Sequence, residues 1–269
     1  MGSNDGLAPW FVPLRAGSAQ PRLRLFMFPF AGGGPAALRA YGGAWPADID
    51  PFAAQLPGRE RRIREPLMHR ASDAAQALAD ALGGAAHDLP FLLFGHSMGA
   101  VLAFETARRL QARGAPLPLR LVVSGFALGR PRDEAPWHRR PDAEFTAALQ
   151  ALGGTTADVL QHQALMELML PTLRADFEIA ETYHPPAGPR LRCGITALAG
   201  DADPEAPPGA MHAWGRETDA GFETHLLHGG HFFITERVDE IVKIVCRATA
   251  TVAGPTPGLR APIPSPCRP

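Results

Sequence analysis

Short, nearly continuous apolar runs recur along this chain, separated by longer stretches whose apolar positions return at i, i+3 and i+4. Leu23, Leu25, Phe26, Met27 and Phe28 form the first run, closed by Pro29; Ile49 to Leu56, Phe91 to Phe94, Leu119 to Val123, Ile195 to Ala199 and Thr224 to Leu227 follow. Runs this short, without polar alternation, predict strands buried on both faces. Helical spacing fills the intervals: Ala36 to Trp45, Ser72 to Leu82, the residues after Ser97 to Arg113, Met211 to Arg216, and Glu236 to about Ala250. Ser72 is a candidate N-cap, Gly83-Gly84 a candidate stop, and Gly114 closes the helix before it. Strands alternating with helices predict a mostly parallel central sheet with helices on both faces.

The alternation breaks once. Residues 130–186 carry three helical patterns without an intervening strand: Phe145, Leu149 and Leu152; Leu165, Leu168 and Met169; and Leu173, Phe177 and Ala180. This predicts an inserted helical lid, with the α/β core formed by residues 23–129 and 187–252. Residues 1–22 are polar and Gly/Pro-punctuated, with Trp10, Phe11 and Val12 the only apolar group, and predict an extended lead-in. The Pro-rich stretch 253–269 lacks periodicity and is expected to be disordered.

Composition narrows the setting. The 269 residues are 46% hydrophobic and carry 26 Lys+Arg against 27 Asp+Glu, so no global charge favours nucleic acid or an anionic membrane. No membrane partner is expected, because no long apolar run occurs. Cys193, Cys246 and Cys267 are widely spaced, which fits neither a disulfide framework nor a zinc site. With no signal-peptide pattern at the N-terminus, a cytoplasmic, monomeric protein is expected.

Candidate chemistry centres on Gly95-His96-Ser97-Met98-Gly99, between the run at Phe91 and an Ala-rich helical pattern. A G-x-S-x-G between strand and helix is the nucleophile elbow of α/β-hydrolases, and this is the fold class expected. A serine hydroxyl needs a base, and the base a group to fix its tautomer. In that fold the chain order is Ser, acid, His. His231, after Gly229-Gly230 and past the last strand, is the favoured base, with His228 the fallback; His212 and His225 fall inside regular elements. Asp201 and Asp203 share the loop after Ala199. Local chemistry favours Asp203, whose backbone Pro204 holds extended, without settling the choice. Oxyanion donors are expected at the amide of Met98 and in the loop Phe30-Ala31-Gly32-Gly33-Gly34, where Ala31 is favoured over Phe30. His96 is expected to pack behind the turn. No H-E-x-x-H or comparable pairing appears, so neither a metal nor a cofactor is expected.

Four stretches, FPFAGGG (Phe28 to Gly34), QLPGRERR (Gln55 to Arg62), GHSMGA (Gly95 to Ala100) and GGHFF (Gly229 to Phe233), resemble the type II thioesterases that edit polyketide and nonribosomal peptide assembly lines. A fifth, LPTLRADFEIAETY (Leu170 to Tyr183), is similar to that family's lid segment. The resemblance implies Ser97 as nucleophile, Asp203 as acid, His231 as base, and the amides of Ala31 and Met98 as oxyanion donors. It implies an acyl group on the phosphopantetheine arm of an acyl or peptidyl carrier protein as substrate, with a mobile lid over an acyl chamber. Lid residues Phe145, Leu149, Leu165, Met169, Leu173 and Phe177 are candidates to line the chamber. Carrier proteins are generally acidic, so two arginine clusters are candidates for docking: Arg59, Arg61, Arg62 and Arg64, or Arg130, Arg132, Arg139 and Arg140. A general carboxylesterase or lipase is the alternative reading, sharing the triad without the other motifs.

Overall fold

The computed structural model describes residues 6–85, 89–129, 135–154 and 162–250. A seven-stranded sheet organises them, built from β1 (Phe11–Pro13), β2 (Leu23–Phe28), β3 (Ile49–Ala54), β4 (Phe91–His96), β5 (Arg120–Ser124), β6 (Gly194–Gly200) and β7 (Phe222–Leu227) in the spatial order β1-β3-β2-β4-β5-β6-β7. All neighbouring pairs are parallel except β1 with β3, where Phe11 stands opposite Ala54. This is the mostly parallel sheet that the apolar runs predict.

Side-chain alternation along the central strands divides the core into two layers. Phe26, Phe28, Leu93, Leu121, Val123, Ile195 and Ala197 point to one face, and Leu25, Met27, Leu92, Phe94, Val122 and Leu198 to the other. Helices α2 (Ala71–Ala85) and α3 (Met98–Ala112) cover the first face through residues such as Leu78, Leu82, Val101 and Phe104. Helix α7 (Val238–Ala250) covers the second with Ile241, Val242 and Val245. Both faces are therefore sealed, which is why the strands tolerate continuous apolar sequence.

Several expected elements differ. The lead-in is not wholly irregular: Phe11 to Pro13 add an edge strand, and Phe11 packs on Phe26 and Phe28 at ring separations of 4.9 and 5.8 Å. The helix expected over 36–45 is split into a 3-10 turn, Pro35–Leu38, and a short α1, Tyr41–Ala44. Helix α2 starts at Ala71, so Ser72 is not its N-cap, and it runs through Gly83-Gly84. A glycine ends a helix when it turns left-handed, and Gly83 does not. The segment around Met211 is a 3-10 helix, Pro208–Glu217, and the last helix, expected from Glu236, begins at Val238 as α7 after a separate short α6 (Phe233–Glu236).

Between β5 and β6 stand α4 (Asp142–Leu152) and α5 (Gln163–Thr182). The second and third helical patterns of this region are one 20-residue helix that continues through Pro171. A proline costs the helix one backbone hydrogen bond, and here the apolar stripe of Met166, Leu173 and Phe177 packs on both sides of the interruption. The expected tail, 253–269, lies outside the described residues. No helix among the described residues is long and apolar enough to cross a membrane.

Candidate active site

Strand β4 runs into α3 through Ser97, whose backbone lies at φ 54° and ψ −122°. That region is strained for any residue with a Cβ, at about 1–3 kcal/mol. The surroundings enforce it: Ser97 N–H donates to the Ser124 carbonyl of β5 at 2.8 Å, and both flanking glycines sit where no side chain fits. A Cβ on Gly95 would lie 2.1 Å from the Gly99 carbonyl oxygen, and one on Gly99 2.0 Å from that of Phe28. The G-x-S-x-G spacing thus follows from packing the turn against β2 and against its own helix.

Ser97, His231 and Asp203 form one chain of hydrogen bonds. Ser97 O–H lies 3.1 Å from His231 Nε2, and His231 Nδ1–H donates to Asp203, 3.0 Å from Oδ2 and 3.1 Å from Oδ1. Because a carboxylate only accepts, Nδ1 carries the proton and Nε2 is left to receive one from the serine. Asp203 is buried, and its Oδ1 also accepts from the Glu205 and Ala206 amides at 2.9 and 3.2 Å. The arrangement can remove a proton from the serine hydroxyl and hold the resulting imidazolium.

The alternatives weighed from sequence occupy a separate place. Asp201 accepts from His228 Nδ1 and from the Gly229 amide, both at 2.9 Å, at the protein surface. These bonds, the Gly229 amide foremost, hold the Asp201 carboxyl below its usual range. They fasten the acid loop to the base loop. His228 is bound there rather than at Ser97, and His212 and His225 lie in the 3-10 helix and in β7.

His96 is buried behind the elbow, with Nδ1 2.9 Å from Ser124 Oγ and its ring 5.1 Å from that of His231. Burial, reinforced by His231, holds its pKa well below the ordinary histidine value. An unfolded histidine protonates near pH 6.5, whereas this one refuses the proton in the native state. The unfolded chain therefore gains protons first as pH falls, and His96 should cost up to about 1.4 kcal/mol of stability per pH unit below ~6.5. Thermal unfolding of wild type and His96→Gln from pH 7.5 to 5.5 checks this: the variant should lose less Tm over that range, and parallel losses would refute it.

The catalytic array opens into a cavity of about 980 Å³ bordered by Phe30, Ala31, Ser97, His231 and Phe232 at one end. Phe232 packs edge-on against Phe30 at 4.9 Å and against His231 at 5.3 Å, joining the base loop to the glycine loop. Ala31 stands in that loop after β2, and Met98 is the first residue of α3, so both amides lie where a strand end meets the cavity or the elbow. The cap supplies Leu149, Leu173 and Phe177 to the lining. Three other expected lining residues are corrected. Phe145 is buried in a small cap core, edge-on to Phe177 at 5.0 Å; Met169 packs on that core; and Leu165, half-buried, borders neither core nor cavity among the described residues. A helical stripe marks which residues face inward, but not whether they meet a neighbouring helix or open space. Trp137, at the start of the 3-10 turn Trp137–Arg139, and Phe126 and Leu128, in the loop after β5, border the cavity as well, and none has a periodicity to announce it.

The first arginine cluster is corrected too. Arg59 and Arg62 are only 7% and 6% exposed, so they cannot face a partner. Arg62 donates to the Gln55 carbonyl at 2.8 Å, pairs with Glu65 at 2.6 Å and lies 4.0 Å over the Trp10 ring. Arg59 is paired with Asp176. Arg61 and Arg64 are exposed. In the second cluster Arg139 is exposed, Arg140 lies 3.9 Å over Trp137, and Arg130 and Arg132 fall outside the described residues. Among the described residues no group of His, Cys, Asp and Glu is arranged to hold a metal ion.

Residues 23–249 match the family described as "Thioesterase domain". The chain is 34% identical over 247 residues to the gramicidin S biosynthesis protein GrsT of Aneurinibacillus migulanus, covering 91% of this chain and 96% of that protein. Among solved structures it is similar to the type II thioesterase BorB of the borrelidin biosynthetic cluster, with 36% identity, a TM-score of 0.81, and coverage of 89% of this chain and 97% of that one. It is likewise similar to YbtT, the type II thioesterase of the yersiniabactin pathway, with 32% identity, a TM-score of 0.82, and coverage of 91% and 100%.

Proposed function

Because this chain belongs to the thioesterase domain family, we propose that it hydrolyses acyl groups from the phosphopantetheine arm of carrier proteins in an assembly line, as an editing enzyme. The observation that carries this reading is the Ser97–His231–Asp203 chain of hydrogen bonds at the mouth of a large cavity. Ser97 Oγ attacks the thioester carbonyl while His231 Nε2 takes its proton. The tetrahedral oxygen is held by the amides of Ala31 and Met98, and the C–S bond breaks as His231 returns the proton to the departing thiolate. Water then attacks the acyl-serine by the same route and releases the acid. Every step is proton transfer and acyl transfer, so the reaction calls for no cofactor.

A chamber of about 980 Å³ is at the upper end for small-molecule sites and exceeds what a short acyl group fills. This supports low selectivity over chain length, which suits an enzyme clearing varied stalled units. Among the described residues of the two clusters, exposed Arg61, Arg64 and Arg139 are the cations available for meeting an acidic carrier. The test is intact mass of several acyl-loaded carrier proteins before and after incubation with enzyme and with Ser97→Ala. Wild type should return free carrier thiol from more than one acyl group. Preference for oxygen esters over thioesters of the same acid would instead favour a carboxylesterase.

A further inference from the structure

The glycine loop that carries Ala31 has little of its own to hold it. Within it, Gly33 N–H donates to the Phe30 carbonyl at 2.9 Å, and its three glycines have no side chains of their own to fix the backbone. Its anchor is supplied by two other parts of the chain. Asp176, in the half of α5 after Pro171, accepts from the Gly32 amide through Oδ2 at 2.7 Å. Arg59, beyond β3, donates to both oxygens of the same carboxylate at 2.7 and 2.8 Å and to the Gly33 carbonyl at 2.9 Å. One oxygen of Asp176 is thus shared between a guanidinium and a loop amide, and one arm of Arg59 between the carboxylate and a loop carbonyl. Thr172, one turn earlier on α5, donates to the Gly58 carbonyl at 3.0 Å and fixes the helix against the segment that carries Arg59.

Neither Arg59 nor Asp176 borders the cavity, so neither meets substrate, and both are too buried to meet a partner. A buried pair of this kind contributes little net stability over an apolar replacement, whereas its geometry is strict: the planar fork fixes the carboxylate in two directions. We propose that Asp176 and Arg59 are positioning residues for the oxyanion loop. Through the Gly32 amide and the Gly33 carbonyl they aim the neighbouring Ala31 amide at the tetrahedral oxygen, so that the cap helix and the oxyanion hole form one mechanical unit. The proposal rests on the reading of Ser97 as nucleophile and Ala31 as donor.

The test compares two ligands. An alkyl trifluoromethyl ketone adds to Ser97 as an anionic hemiketal that needs the oxyanion donors; a saturated fatty acid of matched length fills the chamber without forming that adduct. Asp176→Asn, which keeps the volume, and Arg59→Met should each lose about tenfold to 10²-fold in ketone affinity and in kcat, approaching the loss of one oxyanion donor. Fatty-acid affinity and KM should be unchanged, and the double variant should be no worse than the poorer single one. Folded Asp176→Asn with wild-type ketone affinity would overturn the proposal, as would fatty-acid affinity falling in step with ketone affinity. If wild type and Ser97→Ala bind the ketone equally, the nucleophile reading itself fails and the positioning role falls with it.

Discussion

Ser97→Ala is expected to lower kcat on an acyl thioester by about 10⁶-fold, the scale on which removing a triad serine acts in serine hydrolases. His231 Nε2 has the Ser97 hydroxyl as its partner in the triad at 3.1 Å, and without it the imidazole activates only a loosely held water. Alanine occupies the same strained backbone as serine, so the fold should be retained and Tm should change little. Turnover of an acyl-N-acetylcysteamine substrate, with labelling by a fluorophosphonate, reads the outcome. A folded variant that keeps even a hundredth of wild-type turnover, or that is still labelled, would remove Ser97 from the role of nucleophile.

Asp203→Asn should cost about 10⁴-fold in kcat with KM little changed, because it reverses the histidine tautomer. Oδ1 of Asp203 is committed to the Glu205 and Ala206 amides, so an asparagine keeps its oxygen there and turns its NH₂ towards His231 Nδ1. Two donors cannot face each other. Nδ1 must give up its proton, Nε2 takes it, and the nitrogen beside Ser97 can then no longer accept one. Asp201→Asn provides the contrast: it loosens a surface contact between two loops and should leave turnover close to wild type. A larger loss at Asp201 than at Asp203 would reverse the assignment of the acid.

The parts of the molecule legible in the sequence are those where a local pattern has a single physical solution. An apolar run ending in G-x-S-x-G has to be a strand entering a tight turn, since glycine is the only residue that fits at 95 and 99. Chain order together with a place in a loop limits the base to His231 or His228, but nothing local settles the choice between Asp203 and Asp201, which share one loop. Separation comes from partners well along the chain: Asp203 accepts from His231, and Asp201 from His228 and the Gly229 amide. The same limit explains the arginines. Arg59 to Arg64 read as a solvated basic run, yet Arg59 is buried by a carboxylate 117 residues away and Arg62 by the Trp10 ring and the Gln55 carbonyl. Three-residue β1 carries too little pattern to be told from an irregular segment, and α5 reads as two helices because Pro171 obscures a continuous stripe.

Strands β5 and β6 are direct parallel neighbours, and the cap is inserted in the single crossover that joins them. By that topology it is a cassette, and exchanging it with the cap of a relative would be an obvious route to a different acyl range. The buried ion pair forbids free exchange. A transplanted helix without a carboxylate at position 176 strands the Arg59 guanidinium in the interior, an error of about 3–5 kcal/mol before any acyl chain is met. The unit of inheritance is therefore discontinuous: cap, glycine loop and the segment after β3 have to travel together, and a chimera that moves one must move the other two.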